Sequence, residues 1–133
     1  MTATETPSQL ETRKLARAIA IAAEDRKAAD IVILEVAEVS YLADYFVIVT
    51  GFSQTQVRAI SDSIEDKISK ELDRNPLRVE GKSQGNWILQ DYGDVIVHIM
   101  LEKDREFYNL EAFWGHAKKI NFSTISETSS DRK

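Results

Sequence analysis

The sequence predicts an α/β domain in which a mixed β-sheet is flanked by helices. Three observations carry this expectation. Two segments have apolar residues at helical spacing: Leu15, Ala18, Ile19, Ala22 and Ala23, then Val57, Ile60, Ile64, Ile68 and Leu72. Five short runs, mostly rich in β-branched residues, read as strands. Their order, α-β-β-α-β-β-β-α, alternates the two kinds of element as a sheet with covered faces requires.

Taken in order, residues 1–7 are expected to be a disordered lead. Ser8 and Glu11 then form a capping box that opens a helix over residues 9–28. "DIVILEV" at 30–36 is a buried strand, "AEVSYLAD" a connection, and "YFVIVT" at 45–50 a second strand that Gly51 breaks. Ser53 caps the next helix with Gln56 three residues on, and Phe52 is placed to staple onto Val57. Asn75-Pro76 ends that helix, since the residue before a proline avoids helical dihedrals. "LRVE" is a short strand and "GKSQGN" a loop; residues 87–90 and 94–101 form a hairpin across "DYGD". "DREFYNLEAFWGHAKKI" is a closing helical segment with Asp104 as its cap and Gly115 as its stop or kink. Residues 8–120 make one domain and residues 121–133 a polar tail.

Composition narrows the function. At 133 residues, 43% hydrophobic and 29% charged, the chain is one globular domain large enough for a real core. It has no cysteine, hence no thiolate nucleophile, and fits a reducing compartment. The start, "MTATETPSQLETRK", lacks the apolar or arginine-rich character of a targeting peptide, and no apolar run approaches the roughly 18 residues of a membrane span. A cytoplasmic protein without a membrane partner is expected. The formal charge of −5 argues against a sequence-independent grip on nucleic acid and favours a basic partner.

Four places deserve a chemical reading. "WILQDYGDVIVHIM" sets Asp91 and Asp94 near His98, one of two histidines. A three-residue loop, with Gly93 as a left-handed bulge, pairs Leu89 with Val95 and Trp87 with Val97. Trp87, Leu89, Val95, Val97 and Ile99 then share one face, and Gln90, Asp94, Ile96, His98 and Met100 the other. Asp94 and His98 lie roughly 13 Å apart at strand rise, too far for a metal or a proton relay. The cluster therefore reads as a turn, and His98 as a packed or hydrogen-bonded strand residue.

"TGFS" at 50–53 puts Gly51 and Ser53 at a helix start, where phosphate can bind. A nucleotidyltransferase would also need two carboxylates at alternate positions on a nearby strand to hold metal ions, and "VIVHIM" offers none. A helix cap is the plainer reading. His116 stands after Gly115, apart from His98, so no histidine metal site is expected. Finally, Phe107, Tyr108, Phe113 and Trp114 place four aromatics within eight residues. Phe107, Leu110 and Trp114 have core-like helical spacing, whereas Tyr108 falls off that stripe; ringed by Arg105, Glu106 and Glu111, exposed aromatics would suit a protein interface.

The runs "ADYFVIVTGFSQTQVRAISDSI", "EGKSQGNWILQDYGDVIVHIM" and "REFYNLEAFW", in this order and at these separations, closely resemble the ribosomal silencing factor (Iojap-like) family. The likeness spans roughly residues 28–114. It implies a nucleotidyltransferase-like fold without the catalytic carboxylates, and so neither an enzyme nor a cofactor. It further implies a translational repressor that binds large-subunit ribosomal protein number fourteen and sterically blocks joining of the two ribosomal subunits. Organelle relatives act in large-subunit assembly, and a homodimer in the free state is compatible with the family.

Carried onto this chain, the family's hairpin tryptophan falls on Trp87, its "GDVIVH" block on residues 93–98, and its "FY-LE-W" block on Phe107, Tyr108, Leu110, Glu111 and Trp114. The expected interface is Trp87, Asp91, Tyr92, Asp94, His98, Met100 and Tyr108, with the carboxylates facing basic side chains of the partner. Trp87 is left open between core and interface, because the expected register puts it on the more apolar face. The chain departs from the family at Glu35, where many relatives have aspartate, and at "DRNPLR", which lacks a helix-ending glycine. Two other readings stand beside the repressor: a nucleotide-binding or nucleotidyltransferase-type enzyme using Thr50 to Ser53, and a dimeric scaffold that pairs through an exposed edge.

Overall fold

A computed structural model describes residues 6–37 and 43–121. The elements in chain order are α1 (Pro7–Asp25), β1 (Ala29–Glu35), β2 (Tyr45–Gly51), α2 (Gln54–Leu72), β3 (Arg78–Glu80), β4 (Trp87–Asp91), β5 (Val95–Leu101), α3 (Glu102–Tyr108), α4 (Leu110–Phe113) and β6 (Lys118–Asn121). The six strands form one sheet in the order β3-β4-β5-β2-β1-β6. Only β2 and β5 run parallel; the other neighbours are antiparallel. Central parallel strands are covered on both faces and read as continuous apolar runs. "YFVIVT" in β2 does so, with every residue buried.

Alternation along the strands divides the core in two. One face carries Ile33, Val47, Val49, Ile88, Val95, Val97 and Ile99, and packs on Leu15 and Ile19 of α1 and on Val57, Ile60, Ile64 and Ile68 of α2. The opposite face carries Leu34, Phe46, Ile48 and Met100, covered by Trp87, Leu110, Trp114 and Ala117. The expected inner stripe of α2 thus holds, except that Leu72 at its end is exposed.

Several boundaries differ from expectation. Helix α1 begins at Pro7, with Thr6 as its cap: Gln9 N–H donates to the Thr6 hydroxyl at 3.1 Å, and Thr6 N–H donates to Gln9 Oε1 at 2.8 Å. Proline at the first helical position loses no hydrogen bond, which favours this box over the one at Ser8. Thr6 and Pro7 thus belong to the folded unit, and residues 1–5 of the expected lead lie outside the described residues. Most of the 37–44 connection and of the polar tail also lie outside them. Ser53 caps α2 as expected, accepting from Gln56 N–H at 3.0 Å, but Phe52 is largely exposed. The helix ends at Asp73 in the left-handed region, before Asn75 and Pro76.

The hairpin register is shifted. Trp87 pairs with Met100, Leu89 with His98 and Asp91 with Ile96, so Trp87 and Leu89 share a face with His98 and Met100, not with Val97. The turn is shorter than the expected three-residue loop: Tyr92 N–H donates to the Val95 carbonyl at 2.9 Å, leaving Gly93 and Asp94 as the two central residues. Gly93 has φ +93° at the first central position, a conformation that a residue without Cβ adopts freely. With Tyr92 buried in the helix-covered core, the turn centres on Gly93 and Asp94 in place of the expected loop over residues 91–93.

The closing segment is not one helix. It breaks at Asn109, whose φ is 46°, and after a turn at residues 114–116 it returns as β6 beside β1. Leu101 precedes α3 without a side-chain cap, and Asp104 sits within the helix's first turn.

Candidate protein-binding site

The α3–α4 side of the sheet carries a run of ring contacts. Phe107 meets Tyr108 at 4.9 Å between centroids, Tyr108 meets Trp87 at 4.9 Å, and Trp87 meets His98 at 5.9 Å. His98 then meets Phe46 at 5.3 Å, Phe46 meets Trp114 at 5.1 Å, and Trp114 meets Phe113 at 5.3 Å. Seven rings from five elements and the turn after α4 therefore form one chain. Its centre is buried, but its ends stand in solvent: Phe107 is 79% exposed, Tyr108 51% and Phe113 76%. Exposed aromatics backed by packed ones have the make-up of an interface hot spot.

His98 orients the centre of this chain. Trp87 Nε1–H donates to His98 Nδ1 at 3.1 Å, which fixes the imidazole proton on Nε2. Burial holds the His98 pKa down at about 4. The ring is thus a neutral acceptor that aligns the indole, and the expectation of a hydrogen-bonded strand histidine describes it.

The seven residues expected at the interface separate into two groups. Trp87, His98, Met100 and Tyr108 lie together on the ring face, with His98 and Met100 buried beneath Trp87. The half-buried Trp87 packs against that second core and keeps part of its surface in solvent.

Asp91, Tyr92 and Asp94 do structural work at the hairpin end. Tyr92 is 2% exposed and faces the helices, so it cannot meet a partner. Its hydroxyl donates to Gln90 Oε1 at 3.1 Å, and Gln90 Nε2 in turn donates to Ser61 Oγ at 2.9 Å. Burial of the phenol pushes its pKa up.

Asp94 turns away from His98 towards the helices. It accepts from Arg74 at 2.9 and 3.2 Å and from the Thr12 hydroxyl at 2.9 Å. Burial pushes this carboxyl up, but Arg74 and Thr12 together bring it below its ordinary value. Asp91 accepts from Gly93 N–H at 2.8 Å and lies 3.4 Å from Arg78. Both carboxylates, expected to face basic side chains of a partner, are thus engaged with arginines and other groups of this chain.

The "TGFS" groups are likewise engaged within the fold. Ser53 caps α2, and the Thr50 hydroxyl accepts from Arg105 at 3.0 Å. A Cβ on Gly51 would come within 2.8 Å of Val57 Cγ2, so this glycine serves the close approach of β2 to α2. Among the described residues, no group of three His, Cys, Asp or Glu could hold a metal ion. No helix among them is long and apolar enough to cross a membrane.

Phe46, Phe113 and Trp114 were not among the expected interface residues. Period-two alternation in β2 already sets Phe46 opposite Val47, but only the fold reveals which face the ring partners cover. Arg105, expected at the rim, is instead buried.

The model of the family described as "Ribosomal silencing factor during starvation" matches residues 9–133. The chain belongs to the ribosomal silencing factor family. A Bacillus subtilis member, named ribosomal silencing factor, is 39% identical over 108 residues, covering 79% of this chain and 88% of the relative. A mouse relative, named for mitochondrial assembly of the ribosomal large subunit, is 34% identical over 90 residues, covering 65% of this chain and 39% of the relative. A crystal structure of a Chromobacterium violaceum protein shares the fold at a TM-score of 0.74 and 36% identity, covering 77% of this chain and 85% of that one. In this family setting the ring face is the strongest candidate site.

Proposed function

We propose that this chain represses translation in the cytoplasm by binding the large ribosomal subunit through the ring face and blocking its union with the small subunit. The partner on that subunit is ribosomal protein number fourteen. The observation that carries this reading is a seven-ring chain with both ends exposed in a member of a family named for silencing ribosomes. Exposed aromatic side chains supply large contact area at low entropic cost, and the acidic side chains Glu102 and Glu106 on α3 suit a basic ribosomal protein. Occlusion needs no catalytic group: a body of 15.1 kDa placed on the joining surface excludes the small subunit sterically. The mouse relative's name supports a second use of the same contact, in assembly of the large subunit.

The test is subunit joining followed by gradient sedimentation. Purified protein added to free large subunits before small subunits should co-sediment with the large subunit and lower the yield of joined ribosomes. Normal joining at saturating protein would reject the reading.

A further inference from the structure

We propose that Arg105 is the positioning residue of the ring face: a single buried guanidinium fastens α3 and α4 to the open end of the β1–β2 pair and thereby sets Tyr108 against Trp87. The proposal rests on the reading of that face as the partner-binding surface. Arg105 is 9% exposed. Its Nη1 donates to the Asp30 carbonyl of β1 and to the Thr50 hydroxyl of β2, the latter at 3.0 Å. Its Nε and Nη2 both lie 3.1 Å from Glu111 Oε1 of α4. The other oxygen of Glu111 lies 3.8 Å from Lys119 Nζ, which extends the set to β6.

These elements need an external hold. Helix α3 has seven residues and no side-chain cap, and α4 has four, far below the length at which a helix sustains itself. Asn109 between them has φ 46°, so the chain turns there out of the α3 direction, tied by its own short-range backbone bonds to Arg105 and Phe113. The Asp30 carbonyl is available because the β1–β2 register skips between Ala29 and Val32, where Asp30 itself has φ 50°. A planar guanidinium can meet a carboxylate, a carbonyl and a hydroxyl at once, which a lysine ammonium on a flexible stem cannot do in the same geometry. Tyr108 follows Arg105 by three residues on α3, so the hold on Arg105 sets where the Tyr108 ring falls.

The experiment compares wild type, Arg105→Gln, Arg105→Lys and Trp87→Ala by amide hydrogen exchange and by pelleting with isolated large ribosomal subunits. Arg105→Gln should raise exchange tenfold or more across residues 102–121, leave β2 and β5 unchanged, and weaken pelleting tenfold or more. Arg105→Lys should recover only part of both. Trp87→Ala should weaken pelleting without raising exchange in α4 and β6. Unchanged exchange in Arg105→Gln would overturn the latch, and raised exchange with full binding would overturn its positioning role. Should Arg105→Gln not fold, Glu111→Gln decides by the same two readouts, since it frees one side of the guanidinium only. Failure of wild type to pellet would sink the binding reading; exchange and the near-ultraviolet dichroism of the Trp87–Tyr108 pair would still decide whether Arg105 sets the face.

Discussion

Protonating His98 at Nδ1 would set an N–H against the indole N–H of Trp87 and bury a cation among aromatic rings. The folded pKa of about 4 lies below the ordinary 6.5. Between those values the unfolded chain takes up a proton that the folded chain refuses. This contribution to stability is full above pH 6.5 and is lost as pH falls to 4, on the order of 3 kcal/mol in all. Urea titrations across that window should show the loss, and His98→Asn should flatten it; an equal slope in both proteins would contradict the assignment. Asp94 acts in a lower window. Its folded pKa is depressed, so its contribution is present above its ordinary 3.8 and disappears as pH falls below that value. Asp94→Ala leaves Arg74 and Thr12 without their acceptor, and at this partial exposure should cost about 1–2 kcal/mol in denaturant melts. The histidine's structural role was legible from its place in an apolar strand. The role of Asp94 was not, because Thr12 and Arg74 lie 82 and 20 residues away in sequence and no local pattern joins them.

At the scale of elements, the strongly periodic segments were readable and the weakly periodic ones were not. α2 shows why: Ile60, Ile64 and Ile68 recur at one turn and all bury, so pattern and packing agree. The hairpin shows the opposite. Trp87, Leu89, Val95, Val97 and Ile99 are all apolar, so alternation could not choose between registers; the observed one buries Tyr92 on the helix-covered face and lets Gln90 bond Ser61 of α2. In the closing segment, aromatic residues at helical spacing suggested one helix, but only sheet pairing with β1 turns "KKIN" into β6. Gly93→Ala tests the turn: a Cβ at φ +93° should cost about 1–2 kcal/mol by thermal or urea unfolding. No loss would favour a longer loop.

The whole molecule presents two unlike surfaces. Among the described residues, one side of the sheet is closed by two 19-residue helices, and the other is covered by short C-terminal elements and partly exposed rings. An acidic chain of net charge −5 should approach a basic protein by electrostatic steering. Raising ionic strength from about 0.05 to about 0.5 M should then slow association more than it speeds dissociation. Stopped-flow mixing with large subunits reads both rates, and salt-independent association would count against a charged partner.

The most direct measurement is the affinity of purified protein for isolated large subunits, wild type against Trp87→Ala, with Asp94→Ala as a control for stability alone. Trp87 is the ring that joins the exposed Tyr108 to the buried His98, so its removal should weaken binding by about tenfold or more while the chain stays folded. Asp94→Ala should bind as wild type wherever it is folded. Full affinity in a folded Trp87→Ala protein would contradict the ring face as the binding surface.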